Sequence, residues 1–112
     1  MSTYALTLNQ KTPQGDAVTI DLLNLKKVAL ILRALNHKLR QQIVKLIDES
    51  ERITVTEIYT HLRIEQSVAS QHLAILRKAG IVDTTRNGKY IFYSINANRI
   101  QELNQFVNQL LG

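Results

Sequence analysis

The sequence predicts a mainly α-helical fold with a small β-hairpin, and three observations carry that expectation. Apolar residues recur at helical spacing in five separate stretches between Val18 and Leu111. One of them, Glu65 to Ala79, is apolar on one side, polar on the other, and stops at Gly80. Two alternating segments then flank Asn87-Gly88, a pair favoured in two-residue hairpin turns. A short helix, a second helix, a strand, a tight turn and a strand follow one another in the order of a winged helix-turn-helix, five helices plus a wing.

Each element has its own local reason. Residues 1–17 contain the only proline, in Asn9-Gln-Lys-Thr-Pro-Gln-Gly-Asp16, and are expected to form a flexible N-terminal arm, leaving 18–112 as one winged helix domain. From about Val18 to Leu35, residues Leu22, Leu25, Val28, Ala29, Ile31, Leu32 and Leu35 make a helical stripe, which Ile20, Leu23 and Leu30 broaden beyond one face. Asn36 reads as the N-cap of a second helix, with Leu39, Ile43, Leu46 and Ile47 inward and Arg40, Gln41 and Lys45 outward. Thr54-Val-Thr-Glu57 has the form of a capping box opening a third helix, whose buried stripe is Val55, Ile58 and Leu62. Only Arg63, Ile64 and Glu65 separate it from the fourth.

That fourth helix directs Val68, Ala69, Leu73, Leu76 and Ala79 to one side, and Ser67, Ser70, Gln71, Ala74 and Lys78 to the other. Short hydroxyls and carboxamides allow a helix to approach base edges closely, and Gln pairs bidentately with adenine in the major groove. With Asn87 and Gly88 at the hairpin tip, Arg86 faces Lys89, Thr84 faces Ile91 and Val82 faces Tyr93. Two like charges side by side at a tip cost a few tenths of a kcal/mol or more, and a phosphate nearby relieves them.

Charge distribution agrees. Residues 63–99 hold six bases and two acids, so four of the net five positive charges lie on this unit. Such a surface attracts polyanions. At 112 residues the chain suits one compact domain, and no apolar stretch approaches the ~20 residues of a membrane span. No basic region precedes an apolar run after Met1, so a cytoplasmic location is expected. Without cysteine there are no disulfides or thiolate metal sites. A Gly-rich phosphate loop, a His-Glu-x-x-His motif and paired acids flanking a cleft are likewise absent from the sequence, which argues against an enzyme.

Leu35-Asn-His-Lys-Leu-Arg-Gln-Gln-Ile-Val44, Ser67-Val-Ala-Ser-Gln-His-Leu-Ala-Ile-Leu-Arg-Lys-Ala-Gly-Ile-Val82 and Arg86-Asn-Gly-Lys-Tyr-Ile-Phe-Tyr93 together resemble the ArsR/SmtB family of small bacterial transcription regulators. The resemblance spans roughly residues 18 to 111. It implies a homodimeric winged helix protein that binds an inverted-repeat operator in double-stranded DNA, usually as a repressor released by an effector. It also places Gln66, Ser67, Ser70 and Gln71 on the recognition helix facing the groove and Arg86 and Lys89 on the wing. Lys78 shares the outward side of that helix.

The chain departs from the metal-sensing members. Where they carry a Cys-x-Cys-type pair, it has Ile53-Thr-Val-Thr-Glu-Ile-Tyr59, and its last helix has neither the Asp nor the His that others use. Glu57 and His61 stand at i, i+4 without an evident third ligand, so no metal site and no cofactor is expected. His72 falls within the motif and suits packing and hydrogen bonding at the edge of the recognition helix, whereas His37 suits the surface.

Dimerisation follows from the apolar helices as well. Ile100, Leu103, Val107 and Leu110 repeat at alternating three and four, broadened by Phe106, and the first helix adds Leu22 and Leu25. One small core cannot hide both surfaces. The competing reading is a winged helix used as a protein-interaction module or anti-repressor, since one fold serves both roles.

Overall fold

Local backbone chemistry divides the chain where the residue pattern changes period. A computed structural model of the chain describes residues 4–112. In order these form β1 (Ala5–Lys11), β2 (Ala17–Asp21), α1 (Leu22–Leu35), α2 (Lys38–Ser50), β3 (Ile53–Thr54), α3 (Val55–Leu62), α4 (Gln66–Lys78), β4 (Val82–Asn87), β5 (Tyr90–Ile95) and α5 (Ala97–Leu111). The five helices and the wing are those expected. No helix among the described residues is long and apolar enough to cross a membrane. Two compact units result, Met1–Ile31 and Leu32–Gly112, with the last turn of α1 in the second.

In the first unit, residues expected as a flexible arm instead pair as a hairpin. Leu6 lies opposite Ile20, Thr7 opposite Thr19 and Leu8 opposite Val18. Thr12-Pro-Gln-Gly15 closes it: the Gly15 amide donates to the Thr12 carbonyl at 2.8 Å, and Gly15 takes φ +88°. A turn followed by a left-handed glycine is a common three-residue hairpin closure. Proline and glycine here punctuate a turn between two alternating segments. The first helix consequently begins at Leu22, four residues later than expected, where the Asp21 carboxylate accepts the amides of Leu23 and Asn24 at 2.9 and 3.0 Å.

In the second unit, α2, α3 and α4 contact one another, α2 and α3 also meet β5, and α4 meets β4. Ile43, Ile47, Ile58, Leu73, Leu76, Ile81 and Val82 are fully buried there. The sheet has three strands in the order β3-β5-β4, because Ile53 and Thr54 pair with Tyr93 and Phe92 before the chain turns into α3. The expected hairpin lacked this third strand, although the β-branched run Ile53-Thr-Val-Thr56 signals it. The Thr54–Glu57 capping box is present, with reciprocal backbone bonds of 3.3 Å each.

Gly80 ends α4 as a Schellman motif. The Ile81 amide donates to the Leu76 carbonyl and the Gly80 amide to the Arg77 carbonyl, each at 3.0 Å, while Ile81 and Leu76 are both fully buried. Its φ is +75°, and an added Cβ would lie 2.9 Å from Arg99 Nε. Gly80→Ala is therefore expected to destabilise the fold by roughly 1–3 kcal/mol. Urea unfolding checks this, and an unchanged midpoint would contradict the strain assigned here.

Candidate nucleic-acid interface

The pair α3 and α4 is joined by a turn that needs one strained residue. Arg63 adopts φ +56°, and the Ile64 amide reaches back to the Tyr59 carbonyl at 3.1 Å. Ile64 is half-buried at this corner.

Helix α4 sorts its residues by chemistry. Ala69, Leu73 and Leu76 have no exposed surface, Ala79 is buried and Val68 is half-buried. Gln66, Ser67, Ser70, Gln71, Ala74 and Lys78 are all exposed. At 3.6 residues per turn these six fall within an arc of about 140°. The arc carries hydroxyl and carboxamide donors and acceptors with two cations, Lys78 and the likewise exposed Arg77, at its C-terminal end, and no acid. Ile75 is also exposed, outside that arc.

The wing is displaced by one residue from the expected tip. Asn87 pairs with Tyr90, so Gly88 and Lys89 form the turn, and Gly88 alone takes positive φ, at +63°. Glycine at the first central position marks a type II′ turn; Asn87, no longer required to adopt positive φ, extends the strand. Arg86 accordingly faces Ile91, Thr84 faces Tyr93 and Val82 faces Ile95. The expected Arg86–Lys89 pairing does not occur, and the strain attributed to it is absent. Because the register moves by two, Val82, Thr84, Ile91 and Tyr93 still share a face. Arg86 Nε donates to the Gly88 carbonyl at 3.3 Å, and Lys89 Nζ lies 5.5 Å from the Tyr90 ring centroid. Both cations are exposed at the tip.

Sequence reasoning missed Arg40. Expected outside, it is only 6% exposed. Its Nε donates to the Ala34 carbonyl at 2.6 Å, one terminal nitrogen donates to the Arg33 carbonyl at 3.1 Å, and the other lies 3.1 Å from His72 Nδ1 on α4. The missed signal was its position: Arg40, Ile43 and Ile47 fall on one helical stripe. His37, rather than Asn36, caps α2, its Nδ1 accepting the Arg40 amide at 3.4 Å. The His37 and His72 rings stand 4.9 Å apart. Burial, with His37 and Arg40 adding to it, lowers the His72 pKa below its usual value.

The residues expected at a dimer seam are incompletely covered. Leu22 and Leu25 are exposed on α1. On α5 no residue is buried: Ile100 and Leu103 are half-buried, Phe106 and Val107 are exposed, and Leu110 is 72% exposed. Between α2 and α5 runs an open groove of about 890 Å³, with Leu35, Val44, Ile95, Ile100, Leu103 and Val107 among its lining. Glu57 serves the α3 cap, and no group of three or more potential metal ligands occurs among the described residues.

Comparison with known proteins places this geometry. Residues 37–84 match the model of the bacterial regulatory protein, arsR family. The chain is 36% identical over 85 residues to an HTH-type transcriptional regulator of Methanocaldococcus jannaschii, covering 76% of this chain and 96% of that protein. It is 30% identical over 87 residues to the transcriptional activator HlyU of Vibrio cholerae, covering 78% and 80% of the two chains. The crystal structure of the transcriptional repressor PagR of Bacillus anthracis is similar with a TM-score of 0.62 at 29% identity, over 76% of this chain and 97% of that one. A helix-turn-helix with a polar outward arc and a cation-tipped wing, matched in sequence and in fold, makes this chain a member of the arsR family of DNA-binding transcription regulators rather than an enzyme.

Proposed function

We propose that the chain acts as a homodimer on an inverted-repeat operator, reading bases with α4, clamping phosphates with the wing, and repressing transcription by covering a promoter. The observation that carries the dimer is α5, a 15-residue helix with no buried residue and a row of apolar side chains turned to solvent. A matching copy is the occupant that gives both such helices a covered face. Two-fold pairing would also set two α4 helices about one DNA turn, ~34 Å, apart. Leu22 and Leu25 are proposed to join Ile100, Leu103, Phe106, Val107 and Leu110 in this interface. An effector, whether small molecule or protein, would act by favouring one spacing of the two α4 helices over another.

Base reading is assigned to Gln66, Ser67, Ser70 and Gln71, and phosphate contact to Lys78, Arg86 and Lys89. Operators selected from random duplexes should be palindromic, and Ser70→Ala or Gln71→Ala should cost roughly 1–3 kcal/mol on them with little effect on random DNA. Lys89→Ala should weaken both alike and lower the salt slope by about one. Equal losses on operator and random DNA for Gln71→Ala would remove base reading from that residue. In transcription from a promoter overlapping the operator, added protein should reduce transcript, and an increase would make it an activator.

For the dimer, Leu110→Glu with Phe106→Glu should yield a monomer by sedimentation and abolish palindrome preference. Wild-type protein that sediments as a monomer at working concentrations would refute the proposed assembly.

A further inference from the structure

We propose that Arg40 is a positioning residue for DNA reading: its guanidinium, seated on the last carbonyls of α1, holds α4 in its reading orientation by donating to the neutral imidazole of His72. This rests on the reading of α4 as the base-contacting helix. The geometry is that of a three-way tie. Arg40 is buried on α2, its Nε and one terminal nitrogen are held by the Ala34 and Arg33 carbonyls, and its remaining terminal nitrogen reaches across to α4. A planar fork with fixed donors can serve three acceptors at once, which a lysine ammonium on a flexible stem cannot do in the same directions. His72 directly follows Gln71, so a shift of its ring moves the adjoining polar arc.

The tie also dictates a protonation state. A guanidinium only donates, so His72 Nδ1 must accept, which leaves its proton on Nε2. Adding a proton to Nδ1 would turn the acceptor into a donor facing a donor, beside a buried positive charge. The charges acting on His72 are His37 and Arg40, and both oppose protonation. Lys38, Lys45, Asp48 and Glu49 on α2, Glu57, Tyr59 and His61 on α3, and Asp83 and Arg86 on β4 are the other ionisable groups on the elements packed against α4, and none of them contributes to the lowering at His72. No carboxylate on these elements therefore offsets the two positive neighbours at His72. Because the folded chain holds His72 neutral, the tie is complete above the ordinary histidine pKa of about 6.5 and is lost as pH falls through the lowered folded value.

The test pairs a ring-nitrogen measurement with DNA binding. Long-range nitrogen–proton spectra of the full chain at pH 7.5 should show His72 as the Nε2–H tautomer; an Nδ1–H tautomer would overturn the proposal without reference to DNA. Fluorescence anisotropy then compares a selected operator with random duplex at constant salt, from pH 7.5 down to one unit below the His72 pKa that the same spectra give. The wild-type preference for operator should fall about tenfold or more across that range, the scale of one hydrogen bond to a charged group.

His72→Asn places an amide oxygen near the Nδ1 position without a titratable group. It should keep the preference and remove its pH dependence. His72→Leu, which leaves the guanidinium without its acceptor, should show the reduced preference already at pH 7.5, as should Arg40→Lys if that variant folds by circular dichroism. His37→Asn retains a capping side chain and should leave the pH dependence in place. If His72→Leu discriminates as the wild type does, or if His37→Asn rather than His72→Asn flattens the profile, Arg40 does not position α4. A wild-type protein that prefers no operator at pH 7.5 would instead refute the base-reading role of α4, while the tautomer measurement still decides the tie.

Discussion

A guanidinium taken out of water needs acceptors for its nitrogens, and in this chain that requirement organises the corner from which α4 is hung. The last four carbonyls of α1 have no partners within the helix. Leu32 receives the Asn36 amide, Arg33 and Ala34 receive Arg40, and Leu35 receives both the His37 amide and the Gln41 side chain. The buried cation also lies at the negative end of the α1 dipole, which offsets part of its desolvation. No buried side-chain nitrogen or oxygen among the described residues is left without a partner. Satisfying α1 and orienting α4 are thus accomplished by one side chain.

From that corner outward, α4 is divided between two tasks that do not compete. Its apolar side is locked by Ala69, Leu73 and Leu76, all without exposed surface, and its end is held by the Schellman closure at Gly80. A helix so fixed along one side presents its opposite arc rigidly, which suits hydrogen bonding to base edges, where small displacements lose the bond. The wing serves differently. Its turn residues are exposed, its cations are anchored only by local contacts, and its glycine supplies the backbone freedom that the turn requires. Exposed positive charge fits contact with phosphate, which fixes position without reading sequence.

At the other end, α5 is incompletely covered. Its N-terminus is well made, with the Asn96 side chain accepting the Arg99 amide at 3.2 Å, yet its apolar row finds no core of its own. Small domains have little interior relative to surface, and adding a second copy is a common remedy. The first unit shows a related pattern. Leu6, Leu8 and Ile20 are exposed on a two-stranded hairpin, which alone is marginal in water.

What could be read from the chain alone was whatever depends on neighbours in sequence. Helical periodicity placed five helices, the Thr54–Glu57 box opened α3, Gly80 closed α4, and the two sides of α4 followed from spacing. The Leu6–Leu8 and Val18–Ile20 alternation around Pro13 and Gly15 was equally local, and reading the first segment as a flexible arm and the second as the start of a helix passed over it. Three features were not settled by the local pattern. The wing register turned on whether Asn87 or Gly88 led the turn, a choice between conformers of similar energy. Strand β3 exists because Ile53 and Thr54 meet β5 some 39 residues later. Arg40 is buried because carbonyls at the end of one helix and an imidazole 32 residues away converge on it. Local propensity settles which segments are helix or strand, whereas the burial of a charge is decided by acceptors that only the folded chain assembles.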